Sequence, residues 1–399
     1  MLGCGGKRDS STPPYLGDDK APKVPKSPHA RPAAVTHSVP PFFEMHRFAS
    51  PCRLLQLALA LLPLASGTPA KKKLVIDTDL FSDVDDVGAL LLAATSTKVD
   101  LLAVNVNYPS SYSALAASAI LSHYGHPDLP IGLVRPLTND SFFDDFAYEL
   151  GEYASKVAYH WSGGLLQWGD ADQAWDPVSL YRKVLAEQED ESVTIASIGF
   201  FDNLSGLLNS TADGYSNSSG VELIRSKVSE LVIMGGGYPS GYEFNFWGSN
   251  SSLTAHVVNN WPGKMTFSGT GLSPRSPHLC IAHGTIGSEL GGNVTSGAAM
   301  TVKAPADDPV AAAYRWYTGY NVSRFSWDPL TVLYACDGLG DLFEYANEFG
   351  YNYVHPNGSN NWVYDETATR QHWLQLRVGN ETAARELDRL FLEGAVSTA

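Results

Sequence analysis

The stretch Leu74-Val75-Ile76-Asp77-Thr78-Asp79-Leu80-Phe81-Ser82-Asp83-Val84-Asp85-Asp86 runs from a short apolar segment into five carboxylates, and Val84–Ala94 then takes up helical periodicity. The same strand-then-helix alternation recurs downstream. Leu101–Val106 reads as a strand, Ser113–Tyr124 as a helix and Pro130–Val134 as a strand. Val178–Glu187 is helical in pattern, and Val193–Ile198 reads as a buried strand. Val221–Ser229 follows as a helix, Glu230–Met234 as a strand ending at Gly235-Gly236-Gly237, and Glu381–Leu392 as a closing amphipathic helix. This order predicts an α/β fold: a Rossmann-like open, mostly parallel sheet flanked by helices. No internal repeat or Pro-rich linker divides residues 71–399, so one large domain is expected.

In open sheets of this kind, ligands bind outside the carboxyl ends of the strands. The acidic run lies at such an end. Strand alternation puts Asp77 and Asp79 on one face, and Asp85 and Asp86 fall at a helix start, where the dipole favours negative charge. Carboxylates crowded there repel one another unless a cation neutralises them, and hard oxygen ligands favour Ca²⁺ or Mg²⁺. A solvated acidic loop is the plainer alternative, weakened by the buried strand on one side and the apolar helix Gly88–Ala94 on the other. An EF-hand loop fails on its required Gly and Glu positions. A phosphatase of the haloacid-dehalogenase type, with Asp77 as nucleophile, would explain Asp77-Thr78-Asp79 but not the second acidic pair.

The 399-residue chain carries 27 Lys+Arg against 42 Asp+Glu, which speaks against nucleic acid or an anionic membrane as partner. Its 44% hydrophobic content excludes global disorder. No apolar run is long enough to span a bilayer. Residues 1–44 mix Pro, Lys, Ser and Gly and read as a disordered extension, with translation expected to begin at Met45. Residues 45–70 have the layout of a secretory signal peptide: His46, Arg47 and Arg53, then apolar Leu54–Leu64, then Ala65-Ser66-Gly67-Thr68-Pro69-Ala70. Residues 71–399 would form the catalytic domain. Sequons at Asn139, Asn203, Asn209, Asn217, Asn250, Asn293, Asn321, Asn357 and Asn380 point the same way, to a secreted glycoprotein. Beyond residue 70 only Cys280 and Cys336 remain, which an oxidising compartment allows to pair or to stay as buried thiols.

The acidic segment resembles the amino-terminal signature of the nucleoside hydrolase family of inosine–uridine preferring type, Asp-x-Asp-x-x-x-Asp-Asp, with two extra residues that make Asp85-Asp86 the match to the final pair. Three further motifs follow in order. Ala196–Leu204 is similar to the family's strand and Gly-Pro-Leu-Thr-Asn, Met234-Gly235-Gly236-Gly237 with Glu243-Phe244-Asn245 to its Met-Gly-Gly and Glu-Phe-Asn element, and Trp327-Asp328-Pro329 to its late His/Trp-Asp element.

The resemblance implies a Ca²⁺-dependent N-ribohydrolase releasing base and ribose. Asp79 would be metal ligand and general base, with Asp86, Asp328 and the backbone carbonyl of Asp202 as further ligands. Asp85, Met234, Glu243 and Asn245 would bind substrate. Trp327 stands where pyrimidine-accepting members carry His; an indole cannot protonate a leaving base but can stack on a purine. Purine nucleosides are therefore the expected substrates, with Trp161 as a second stacking face. Ser110 falls where the family often has Asn, and the loop from Gly237 to Glu243 is short, so sugar recognition is expected to differ. The family also implies a homodimer or homotetramer. Simpler roles compete: Asp328 and Asp202-Asn203 as helix caps, and Gly235–Gly237 as a turn. A secreted ligand-binding protein that keeps the metal but lacks turnover is the non-enzyme alternative.

Overall fold

The computed structural model describes residues 70–81, 83–141, 151–269 and 290–397. The extension 1–44, all of the signal segment except Ala70, and Cys280 lie outside them. The first half of the chain contributes β1 (Lys72–Thr78), α1 (Asp85–Thr95), β2 (Val99–Val106), α2 (Ser111–His123), β3 (Ile131–Leu133), α3 (Ala154–His160), α4 (Pro177–Ala186), β4 (Val193–Ile198), α5 (Asp202–Asn209), α6 (Gly220–Lys227) and β5 (Val228–Met234). Next come β6 (Ser240–Tyr242), α7 (Phe244–Trp247), α8 (Ser251–Asn260), β7 (Met265–Ser268), β8 (Thr295–Ser296), α9 (Ala298–Lys303), α10 (Pro309–Tyr317), β9 (Arg324–Phe325) and α11 (Trp327–Asp337). The chain closes with β10 (Phe343–Tyr345), β11 (Tyr351–Val354), β12 (Ser359–Val363), β13 (Gln371–Leu376) and α12 (Asn380–Ser397).

Eight strands form the main sheet in the order β10-β13-β7-β5-β4-β1-β2-β3. All neighbours pair parallel except β10 with β13. This is the doubly wound α/β architecture expected. One sequence boundary moves: Val228 and Ser229, expected at a helix end, begin β5, because Val228 pairs with Val193 of β4.

Period-two alternation on β1 divides the core. Leu74 and Ile76 pack with α1, α2, α11 and α12 on one face, and Val75 packs with α4, α5 and α8 on the other. Each parallel strand is buried on both sides, which is why its sequence is nearly continuous Val, Ile and Leu. The chain winds outward from β1 to β2 and β3, then crosses back to β4 on the other flank of β1. That reversal opens a crevice at the carboxyl ends of β1 and β4, where Asp77 lies opposite Ser197 and Thr78 opposite Ile198.

Candidate active site

The acidic segment leaves β1 at this crevice. Because β1 ends at Thr78, the alternation that would put Asp77 and Asp79 on one face stops one residue early. Asp77 is fully buried on the α4–α5 side. Its Oδ1 accepts from Asn107 Nδ2 at 2.5 Å and Asn203 Nδ2 at 3.3 Å, and its Oδ2 accepts from the Tyr181 hydroxyl at 2.7 Å. Asn107 also ties the next strand in, since its Oδ1 accepts from the Phe200 N–H at 3.0 Å. Asp77 therefore holds the carboxyl ends of β1, β2 and β4 together.

On the other side, α1 and α11 bring their amino ends together. Carboxylate oxygens of Asp85, Asp86 and Asp328 lie within 4.8 Å of one another, and all three residues are buried. The Asp328 N–H donates to Asp85 Oδ2 at 3.1 Å, and the Thr78 hydroxyl donates to Asp86. Neither simpler capping role holds. Helix α11 begins at Trp327 with Ser326 as its cap residue, and α5 begins at Asp202 with Phe201 before it, so Asp328 and Asp202 are first-turn residues.

Burial raises the carboxyls of Asp85, Asp86 and Asp328 well above the usual range, and repulsion from neighbouring carboxylates, Asp79 and Asp83 among them for all three, raises them further. A set of buried, mutually repelling oxygens with no thiol or imidazole is chemically suited to a hard divalent cation. Asp79 stands apart from the other three in being only partly buried. Burial pushes its carboxyl up to about 7, with further contributions from Asp83 and Glu243. Gly199, just after β4, lets Asp79 lie there: a Cβ at that position would come 2.5 Å from the Asp79 backbone nitrogen and 2.7 Å from Oδ1.

Asp83 takes no part in the cluster. It accepts from Arg324 Nε at 2.9 Å and Nη2 at 2.5 Å, whereas Asp85 and Asp86 are the loop residues whose carboxylates cluster with Asp328. Sequence reasoning missed Arg324, because a basic residue three positions before Trp327 carries no motif signal.

The remaining predicted residues line the adjoining edge. Glu243 is buried, accepts from the Gly236 N–H at 3.1 Å and the Asn245 N–H at 2.9 Å, and is raised to about 7 by burial. The Asn245 amide donates to the Met234 carbonyl and sulfur, each at 3.2 Å. Glu243 thus fastens the Gly235–Gly237 turn to α7 while its charge reaches Asp79. The Asp202 side chain is half-buried, 3.4 Å from the Ser249 hydroxyl, and is not among the clustered oxygens. Trp327 is half-buried against Phe325, with ring centroids 4.9 Å apart. Among the described residues the ring partners of Trp161 are His160 and Trp316, and its indole N–H donates to the Asp307 carbonyl at 2.6 Å. Ser110 is buried and caps α2. Phe81 and Tyr108 stack 4.0 Å apart at the rim beside Asp79.

No family model and no curated protein matches the chain. Solved structures do match. A plant nucleoside hydrolase aligns over 82% of this chain and 99% of its own, at 16% identity and a TM-score of 0.55. The fold is that of the nucleoside hydrolases. A purine-preferring ribonucleoside hydrolase from Gardnerella vaginalis aligns over 82% and 99%, at 14% identity and a TM-score of 0.53. The type III effector XopQ, solved with adenosine diphosphate ribose, aligns over 82% and 95%, at 16% and 0.54. With this nucleoside hydrolase fold, the acidic cluster occupies the crevice where open α/β sheets bind ligands.

Proposed function

We propose that the chain is a Ca²⁺-dependent N-ribohydrolase that cleaves purine nucleosides to free base and ribose. The observation that carries this reading is the buried Asp85–Asp86–Asp328 cluster with the more accessible Asp79 beside it, in a nucleoside hydrolase fold. Asp86 and Asp328 would hold the cation, with Asp79 and the Asp202 carbonyl completing the set, and Asp85, read from the motif as a sugar-binding residue, would share in it because its carboxylate lies in the same cluster. Bound there, Ca²⁺ supplies an acidified water and a grip on the sugar hydroxyls. Asp79 accepts the proton of the attacking water, a role that suits a carboxylate pushed up to about 7. Glu243 and Asn245 position the sugar at the edge of the crevice. Trp327 stacks on the departing purine, which spreads the base's charge where imidazole would donate a proton.

The phosphatase alternative loses support at Asp77. Both of its oxygens accept hydrogen bonds and its side chain is wholly buried, so a phosphoryl group has no line of approach. A binding protein without turnover is separated by Asp79→Asn, which should lower hydrolysis about 10²–10⁴-fold and leave binding largely intact.

Secretion belongs to the same proposal. Seven sequon asparagines (Asn139, Asn209, Asn217, Asn250, Asn321, Asn357 and Asn380) are exposed, whereas Asn203 is buried against Asp77 and unfit to carry a glycan. Such a protein would serve extracellular nucleoside salvage, as a homodimer or homotetramer.

The test is release of reducing sugar from inosine, adenosine, guanosine and uridine, with and without a chelator. Chelator-sensitive cleavage of the purine nucleosides is expected. Equal cleavage of uridine would refute the stacking role of Trp327, and no cleavage by Ca²⁺-loaded protein would refute the reaction.

A further inference from the structure

The loop from β1 to α1 offers more acid than a single cation needs, and the structure sorts it. Asp85 and Asp86 cluster with Asp328, whereas Asp83 is held by other partners. Its carboxylate makes a two-pronged pair with Arg324 and accepts from the Val84 N–H at 2.6 Å, while its carbonyl accepts from the buried Tyr153 hydroxyl. Arg324 is itself enclosed: its side chain is 7% exposed, and its guanidinium lies 5.3 Å from the Tyr317 ring centroid, 5.2 Å from Phe325 and 5.6 Å from Trp327. A guanidinium stacked on aromatic rings presents a rigid fork suited to two-pronged carboxylate binding, which an ammonium cannot reproduce.

We propose that Arg324 is a positioning residue that keeps Asp83 out of the cation site, so that Asp79, Asp85, Asp86 and Asp328 set its charge and geometry without a further carboxylate. The proposal rests on the cation site of the proposed function but not on the reaction. Cancelling the Asp83 charge prevents a surplus carboxylate from over-binding the cation and taking a position that substrate and water require. Because Arg324 belongs to β9, three residues ahead of the start of α11, the same pair fastens the loop after β1 to the segment that carries Trp327 and Asp328.

The test is a Ca²⁺ titration by calorimetry on the full chain, which needs no substrate, with nucleoside turnover measured beside it. In Arg324→Gln, Asp83 loses its partner while its charge still reaches Asp85, Asp86 and Asp328. Ca²⁺ should then bind about tenfold more tightly while turnover falls about tenfold or more. General structural damage would weaken both. The neutral pair Asp83→Asn with Arg324→Gln should return the Ca²⁺ affinity to within about threefold of the parent. Arg324→Lys should fall between parent and Arg324→Gln, because it keeps the charge and loses the fork. If Arg324→Gln fails to fold, Asp83→Asn alone decides: it removes the carboxylate that offsets the guanidinium charge beside Asp85, and Ca²⁺ should bind about tenfold more weakly. Arg324→Gln binding Ca²⁺ no more tightly than the parent, or the double variant binding as tightly as Arg324→Gln, would overturn the proposal. An inactive parent that still binds Ca²⁺ would refute only the reaction.

Discussion

Substituting Gly199 by Ala is the smallest change that should move the reacting carboxylate without removing it. A Cβ at position 199 would sit 2.5 Å from the Asp79 backbone nitrogen, 2.7 Å from Oδ1 and 2.8 Å from its Cβ. Ordinary contact begins near 3.4 Å, so Asp79 or the end of β4 must give way by about 0.9 Å. The nearest atom is backbone, so a rotamer change cannot relieve the clash. Β-sheet pairing of Asp77 and Thr78 with Ser197 and Ile198 also resists separation of the two strand ends. A misplacement of about 1 Å at a catalytic group can cost about 10²-fold, and overpacking of this kind costs about 1–3 kcal/mol in stability. Gly199→Ala should therefore lower kcat about 100-fold on purine nucleosides. Ca²⁺ binding should weaken less, because three of the four carboxylates proposed to hold the cation, Asp85, Asp86 and Asp328, lie on α1 and α11. Gly214→Ala, which meets nothing within 4 Å, is the control and should behave as the parent. A Gly199→Ala protein within threefold of the parent in kcat would refute the placement of Asp79 as the base.

Other outcomes follow from the same geometry. Saturating Ca²⁺ at about 100 times Kd should stabilise the fold by about 2.7 kcal/mol, raising Tm by roughly 4 °C in a scanning experiment, and Asp328→Asn should abolish most of that shift. Trp327→Ala should lower kcat/KM for inosine about 5–150-fold, the range of about 1–3 kcal/mol for a base stacked on an aromatic ring, with a smaller effect on uridine; equal losses on both would refute stacking. Arg182 is buried and its Nε donates to Asp213 at 2.8 Å, which lowers the Asp213 carboxyl to about 2. A lowered carboxyl stabilises the fold above its ordinary value of 3.8 and loses that contribution as pH falls toward about 2, so the parent and Asp213→Asn should differ in unfolding midpoint at pH 5 and converge near pH 2. Glycosidase treatment of protein expressed through a eukaryotic secretory pathway should release glycans from exposed sequons, with peptide mapping finding Asn203 unmodified.

The sheet was legible because its central strands are buried on both faces, so Val193–Ile198 and Leu101–Val106 stand out as apolar runs bounded by polar residues. The sheet's far edge was not. β13 (Gln371–Leu376) alternates only weakly, and β10 is three residues long, so neither carries a periodic signal above the loops around it. The acidic cluster was legible for a related reason, since carboxylates between a buried strand and an apolar helix need an explanation. Their sorting was not, because it depends on Arg324, which is 241 residues away from Asp83 in sequence. Asp77 shows the limit of the strand argument: alternation gives the face correctly only while the strand lasts, and β1 ends at Thr78.

Asp77 and Asp79, two residues apart, divide the work of the crevice by environment. Asp77 is enclosed by the Asn107, Asn203 and Tyr181 donors and fastens three strand ends, so its charge is spent on structure. Asp79 lies beyond the strand, partly open, beside carboxylates that repel it and a glycine that leaves it room. Both carboxyls are pushed up to about 7 by burial, so the shift alone does not distinguish a base from a brace. Access does: an attacking water can reach Asp79 and cannot reach Asp77. The same distinction separates the two enzyme readings, because a phosphatase needs Asp77 as the open group and a hydrolase needs Asp79.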